Sequence, residues 1–204
     1  MLSEIEARVL GCLLEKERTV PDQYPLTLNA LASACNQSQS RDPIMHLDDH
    51  EIESAISVLK GSGWVRLVHP SHGRSVTRFR HVADEKLTLE PDSAAVIALL
   101  LLRGPQTVAE LRSRTERLHP FESLDEVERI LRTLAERELV RLLDRLPGQK
   151  EPRWQQLLAE ERESTVVTRP ALAVPSAVVG SMADRIEQME ARIARLETAL
   201  AELL

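Results

Sequence analysis

The sequence predicts a mainly helical protein of the α+β class, in which small β-hairpins follow groups of helices. Three observations predict this class. Residues 48–68 and 123–143 align without gaps, and in both copies apolar residues at i, i+3, i+4 and i+7 precede a short β-rich run. Two further helical patterns come before each copy. An unbroken heptad pattern near the C-terminus predicts one more helix there.

The first half of the chain predicts three helices and a hairpin. Ser3 and Glu6 form a capping box at the start of the first helix, in which each side chain bonds the backbone amide of the other residue. Thr27 caps the second helix, which runs through "LTLNALASAC", and Asp48 with Glu51 caps the third. Two strands follow, "WVRLV" and "VTRFRHV", joined by the turn "HPSHGRS".

The second half predicts the same order of elements. An apolar helix from Ala94 to Arg103 comes first, and Thr107 with Glu110 caps the next helix. Ser123 with Glu126 predicts a further capping box, at the start of the third helix, like that of Asp48 with Glu51 in the first half. The strands "LVRLL" and "RWQQLL" then flank the turn "RLPGQKEP".

Three helices followed by a hairpin are the pattern of a winged helix-turn-helix domain. We therefore expect two tandem winged-helix domains and a C-terminal coiled-coil helix. The expected boundaries are residues 1–84 for the first domain, 90–160 for the second, 161–180 for a linker and 181–204 for the coiled coil.

The segment "QYPLTLNALASACNQSQSRDP", residues 23–43, joins these helices and carries a polar string from Asn36 to Asp42. It suits a structural joint, a ligand site or a nucleic-acid contact. Asn36 can take the left-handed conformation at the end of the second helix, and Pro43 disfavours helix at the residue before it. The two cysteines, Cys12 and Cys35, lie in apolar patterns and are expected in the core.

Two longer motifs resemble a known family. "EARVLGCLLEKERTVPDQYPLTLNALASACNQSQSRDP" resembles the opening signature of the bacterial YceH family, and "LLLLRGPQTVAELRSRTERLHPF" resembles the signature of its second domain. The resemblance covers residues 3 to 160. It implies tandem winged-helix domains in a cytoplasmic bacterial protein, and it implies no particular activity.

Composition narrows the classes of function. The formal net charge is −6 and aromatic residues make up 2% of the chain, so a base-stacking platform for single strands is not expected. The start "MLSEIEAR" lacks the basic region of a signal peptide, and the apolar run 94–102 is too short to span a membrane. We therefore expect a cytoplasmic protein with no membrane contact.

Charges on and after the third helices support opposite predictions about DNA binding. The outward positions of these helices carry carboxylates, which oppose base readout: Asp49, Glu53, Asp125 and Glu128. The first hairpin is basic, since residues 55–82 contain no acid, and this favours phosphate contacts. The candidate nucleic-acid-binding residues are Arg41, Arg66, Arg74, Arg78 and Arg80. The alternative is a solvated strand face whose charge is balanced by acids elsewhere in the fold.

Function is predicted in two alternative classes. The first is a non-enzymatic DNA-binding or transcription-regulatory factor that contacts phosphates mainly through the first wing. The second is a protein-interaction scaffold of tandem winged helices, similar in architecture to the chromosome-segregation protein ScpB, that reads no DNA. Because neither a Gly-rich phosphate loop nor a nucleophile elbow occurs, we expect no enzyme, and we expect neither a cofactor nor a metal.

The C-terminal heptads predict a homodimer. The seam residues are Ile186, Met189, Ile193, Leu196, Leu200 and Leu203. Isoleucine at a and leucine at d favour a parallel pair, in which arginines at g meet glutamates at e of the other chain. The alternative is an amphipathic helix that folds back onto its own domains.

Overall fold

The computed structural model describes residues 1–69, 76–145 and 148–160. Arg74, the predicted linker and the predicted coiled coil lie outside these residues. In the first half, the elements are α1 (Glu4–Thr19), β1 (Leu26–Thr27), α2 (Leu28–Cys35), α3 (Asp49–Gly61), β2 (Val65–Val68) and β3 (Arg78–His81). Then come α4 (Ala83–Leu87), α5 (Pro91–Arg103), α6 (Val108–Thr115), α7 (Leu124–Glu136), β4 (Val140–Leu143) and β5 (Arg153–Gln156). The predicted class, helices with small antiparallel sheets, is confirmed.

Polar caps fix the starts of the helices as the sequence predicts. Ser3 and Glu6 bond each other's amides in a capping box, and Thr27 accepts a hydrogen bond from the amide of Ala30. The predicted boxes at the starts of α3 and α6 are also present. The start of α7 differs, because Glu126 turns its carboxylate to the amide of Glu122 instead of the cap residue. That helix is capped from one side only.

The repeat predicted from the sequence places equivalent residues in the core. Leu59 in α3 and its repeat counterpart in α7, Leu134, are both fully buried. The other matched pairs are also buried: Ile52 with Val127, Ala55 with Ile130, and Ile56 with Leu131. Since burial of one apolar stripe is what holds an amphipathic helix against its neighbours, the same pattern stabilises α3 and α7.

The two halves are in direct contact through α1 and α5, and residues 1–160 form part of one compact unit. Gly11 allows this contact, since a Cβ atom at its position would lie 3.0 Å from Cδ2 of Leu102 and 3.1 Å from Cβ of Leu101. The apolar run predicted in α5 is buried, and no helix of the described residues is long and apolar enough to cross a membrane. Whether the two halves fold as separate domains stays a prediction.

The joint between α2 and α3 differs from expectation at one position. Asn36 does not take the left-handed conformation, since its φ is −91°, and the residue with positive φ in this loop is Ser40, at 62°. Asn36 is held elsewhere by its side chain, which donates to the carbonyl of Leu47 and accepts from the amide of Leu47, both at 2.8 Å. This pair of bonds fixes the chain that leads into α3.

Candidate nucleic-acid interface

The first hairpin presents its arginines on one face. In the sheet, whose strand order is β1-β3-β2, Arg66 stands opposite Arg80, and Leu67 stands opposite Phe79. Because side chains alternate between the faces of a strand, Arg66, Arg78 and Arg80 share the outer face. The inner face packs on the helices through buried or half-buried side chains. We call this arginine-bearing side the outer face of the hairpin.

A carboxylate from α4 compensates part of this charge. Glu85 lies 3.0 Å from the guanidinium of Arg66 and 3.0 Å from that of Arg80. This pairing is what the alternative predicts, namely acids elsewhere in the fold that balance part of the hairpin's charge, and the phosphate contacts stay a prediction. The acid-free stretch, residues 55–82, ends just before α4, and the fold brings that helix back against the outer face. Extending the stretch by a few residues would have revealed "ADEK" as a possible partner.

Arg78 has partners of a different kind. Its guanidinium donates to the carbonyl of Pro25 at 2.8 Å and to that of Gln23 at 3.3 Å. It thus ties β3 to the chain that leads into β1, while remaining at the surface. The two-residue strand β1 was not predicted from the sequence. It pairs with β3 and so places these carbonyls within reach of Arg78.

Arg41 does not belong to this surface. Its side chain has no solvent exposure, and its guanidinium lies 2.6 Å from Glu15. All five of its N–H groups are used, since acceptors are provided by Glu15 twice and by Ala34, Gln37 and Ser40 once each. Burial is the largest single effect and disfavours the charged form of Glu15, but the hydrogen bonds and charge of Arg41, together with Lys16, outweigh it and lower the pKa of that carboxyl group. No donor of Arg41 is left for a phosphate, so the expected phosphate contact does not fit its position.

The inner face of the hairpin is anchored by a buried histidine. His81 lies 3.0 Å from Glu17 of α1 and 3.4 Å from Asp84 of α4, and its amide donates to the hydroxyl of Tyr24 at 2.8 Å. The hydrogen bond from His81 is the main reason that the pKa of Glu17 is lowered. This cluster, which the sequence patterns did not reveal, fixes the hairpin to two helices.

The third helices expose the carboxylates that the sequence placed there. The exposed polar side chains of α3 include Asp49, Glu53, Ser54, Ser57 and Lys60. Those of α7 include Asp125, Arg129 and Arg132, with Glu128 half-buried beside them. Glu128 and Arg132 form an ion pair of 3.0 Å. Neither helix therefore offers the uninterrupted row of donors that base edges require.

The helices, the hairpins and the arginines together define a class: a helical protein with small antiparallel sheets, built from two similar halves. The chain belongs to the family described as "Protein of unknown function, DUF480", whose model matches residues 2–149. This match covers the helices and hairpin of the first half and most of the second.

Curated relatives carry the family name UPF0502. The chain is 49% identical to a UPF0502 protein of Geobacter sulfurreducens over 173 residues, which are 84% of this chain and 78% of the relative. It is 43% identical to one of Pseudomonas fluorescens, over 99% of this chain and 93% of the relative. It is 42% identical to one of Shewanella loihica, over 100% of this chain and 98% of the relative. These names state no activity, so a function must be argued from the surface itself.

Proposed function

We propose that the protein is a non-enzymatic, cytoplasmic regulatory factor of two tandem winged helices that contacts DNA phosphates mainly through its first hairpin. In each half three helices precede an antiparallel hairpin, which is the order of elements in a winged helix-turn-helix. The resemblance to the YceH family implies the same architecture. The heptad seam of residues 186–203 would join two such chains.

The observation that carries the proposal is the excess of arginine over carboxylate on the outer face of the hairpin. Among the described residues, Glu85 is the carboxylate that pairs there, and it is shared between Arg66 and Arg80. Arg66 keeps 58% of its side chain exposed. Because surface ion pairs contribute only about 0–1 kcal/mol, a phosphate can replace Glu85 at little cost.

Such a surface supports binding that depends on salt more than on sequence. Arginine contacts to phosphate release counterions, so the affinity falls as salt rises, with a slope of about −0.9 for each contact in a plot of log affinity against log salt. The carboxylates on α3 disfavour base contacts from that helix. We therefore expect duplexes of different sequence to bind with similar affinity.

The test is binding of the full chain to a labelled duplex across a salt series. Arg66→Ala with Arg80→Ala should reduce the slope by up to about 1.8, since the variant cannot form two of the phosphate contacts. Arg129→Ala with Arg132→Ala removes the same charge from α7. It is a matched control because α7, like the hairpin, has an ion pair between arginine and glutamate. This control variant should keep the slope of the wild type.

A second variant tests whether phosphate and Glu85 compete for the same two arginines. Glu85→Gln frees both arginines and should strengthen binding, whereas Glu136→Gln removes one exposed carboxylate from α7 and should change it less. The proposal fails if the wild type does not bind at about 100 μM protein in low salt, where non-specific contact normally appears. It also fails if the hairpin and α7 variants lose affinity equally.

A protein-interaction scaffold is the second candidate, and the acidic third helices favour it. The exposed carboxylates of α3 and α7 would repel DNA but suit a basic protein surface. Crosslinking of the tagged protein in cells, with DNA and co-purified proteins identified in parallel, separates the two. A reproducible protein partner whose recovery is lost with Glu53→Lys, without DNA crosslinks, would support the scaffold.

A further inference from the structure

A cavity of about 460 Å³ lies where the two halves of the chain meet. Its walls come from the C-terminal turns of α1 and α5, from the end of α6 and the residues that follow it, and from the loop of residues 37–40. The charged residues in its walls are Lys16, Arg103, Arg114, Arg117 and Glu15. We call this cavity the basic pocket. Four cations thus surround it in a chain whose formal net charge is −6.

Two carboxylates near the basic pocket, Glu15 and Glu110, are already shared. Glu15 lies 2.6 Å from Arg41 and 3.2 Å from Lys16, so one carboxylate serves two cations. Glu110, which lies 3.4 Å from Arg114, lies 2.8 Å from a second arginine in β5. Neither carboxylate can neutralise the remaining arginines of the pocket.

Arg103 and Arg117 are those remaining arginines. Within the described part of the chain, neither forms an ion pair, and Nε of Arg103 is buried without a hydrogen-bond acceptor. Burial, followed by repulsion from Arg114 and Arg41, lowers the pKa of the Arg103 guanidinium, and the attraction of nearby acids does not offset it. Four cations of the pocket walls thus share one lining carboxylate, Glu15, which is already bonded to Arg41.

Helix dipoles explain only part of this arrangement. Cations near helix C-termini are favourable, because each terminus carries a partial negative charge of about 0.5. Three such ends meet at the pocket, and they offset fewer charges than its four cations carry. The dipoles also give no reason for the cations to surround a cavity instead of facing open solvent, as Arg132 does in α7.

The loop of residues 37–40 forms one wall of the pocket, and its polar residues are exposed. Among the described residues, no acceptor bonds the backbone amides of Ser38, Gln39 and Ser40. The loop is held in place from behind by Arg41, which donates to the carbonyl of Ser40 at 2.9 Å and to the side chain of Gln37 at 2.8 Å. Successive backbone amides beside cations are a common setting for phosphate groups.

We propose that the basic pocket binds a small phosphorylated molecule that carries at least two negative charges. Arginine matches the geometry of phosphate oxygens, and the cavity volume falls in the range of sites for small ligands, about 300–1,000 Å³. Leu99 and Leu118 give the walls an apolar surface that an apolar part of the ligand could contact. Because the walls belong to both halves, the bound ligand would contact the two halves at once.

The experiment uses the full chain and sodium pyrophosphate as the probe, followed by calorimetric titration and by thermal melting in low salt. We expect saturable binding and a melting temperature that rises with pyrophosphate. Arg103→Gln with Arg117→Gln should weaken binding by about tenfold or more for each arginine that no longer bonds the anion. Arg129→Gln with Arg132→Gln removes the same charge from α7 and should leave the affinity within about twofold of the wild type, as expected for a screened distant charge.

Several outcomes would overturn the proposal. One is a melting temperature that does not rise in about 10 mM pyrophosphate, or rises equally in sodium chloride of the same ionic strength. Another is equal weakening by the pocket and α7 variants. If the pocket pair does not fold, Arg117→Gln alone, at an exposed position, serves as the test. A lower salt slope for DNA in the pocket variant would assign these arginines to the nucleic-acid interface instead.

Discussion

Replacing Glu15 by glutamine tests the buried ion pair that holds the loop of residues 37–40. The wild-type carboxylate accepts two hydrogen bonds from Arg41, at 2.6 and 3.1 Å, and the side chain of Arg41 has no solvent exposure. Glutamine keeps one acceptor oxygen but places an amide group against the guanidinium. The variant therefore leaves a buried positive charge without its counterion.

The expected loss of stability is about 3 kcal/mol, at the lower end of the range of about 3–5 kcal/mol for breaking a buried pair, because Glu15 is 10% exposed beside the pocket. For a unit of this size, that loss lowers the melting temperature by about 6–12 °C. Urea unfolding at pH 7 measures the free energy. As a control, Glu15→Gln with Arg41→Met removes both charges and should recover part of the stability.

The pH dependence has a definite sign. Because the pKa of Glu15 is lowered in the folded state, its contribution is present above the ordinary glutamate value of 4.5 and is lost as pH falls through the lowered value. The difference in stability between the wild type and Glu15→Gln should therefore shrink below about pH 4.5. A difference under about 1 kcal/mol at pH 7, or one that does not change with pH, would refute the reasoning.

Three further predictions concern packing and assembly. Leu59→Ala, and the same change at its repeat counterpart in α7, should each cost about 2–5 kcal/mol in urea unfolding, because both sites are fully buried. Gly11→Val should destabilise by about 1–3 kcal/mol through overlap with α5, whereas Gly61→Val, which has open space around it, should stay within about 0.5 kcal/mol. Ile193→Lys with Leu196→Lys should convert a dimeric wild type to monomers in light scattering, since lysines in the seam would bury charge; a variant that stays dimeric would place the dimer interface elsewhere.

Features with local causes were predictable from the sequence. Ser3 and Thr27 cap their helices because the bonded amide is three residues along the same chain. The repeat also has a local basis, since its period of 3.6 residues fixes which side of α3 and α7 is buried, and Leu59 and Leu134 follow that pattern. These signals need no knowledge of how the elements pack.

Features with distant causes were not predictable. Arg41 lies in a polar string and suggested an exposed phosphate contact, but its partner Glu15 is 26 residues away on α1. Glu85 is only five residues from Arg80, yet its pairing depends on how α4 folds against the hairpin. The basic pocket is a third case, because α1, α5 and α6 contribute to it and no segment of the sequence contains all its cations. A single sequence carries no pattern that links such positions.

Burial, more than net charge, decides which arginines of this chain can bind an anion. Arg41 has every donor occupied inside the protein, so an incoming phosphate would have to break a buried pair. Arg66 and Arg80 share one exposed carboxylate, which a phosphate can displace at small cost. Arg103 lines the basic pocket and forms no ion pair among the described residues, so an anion there gains a counter-charge without displacing a carboxylate. The hairpin should therefore bind phosphates weakly and exchange them readily, whereas the basic pocket should select a ligand by its charge and size.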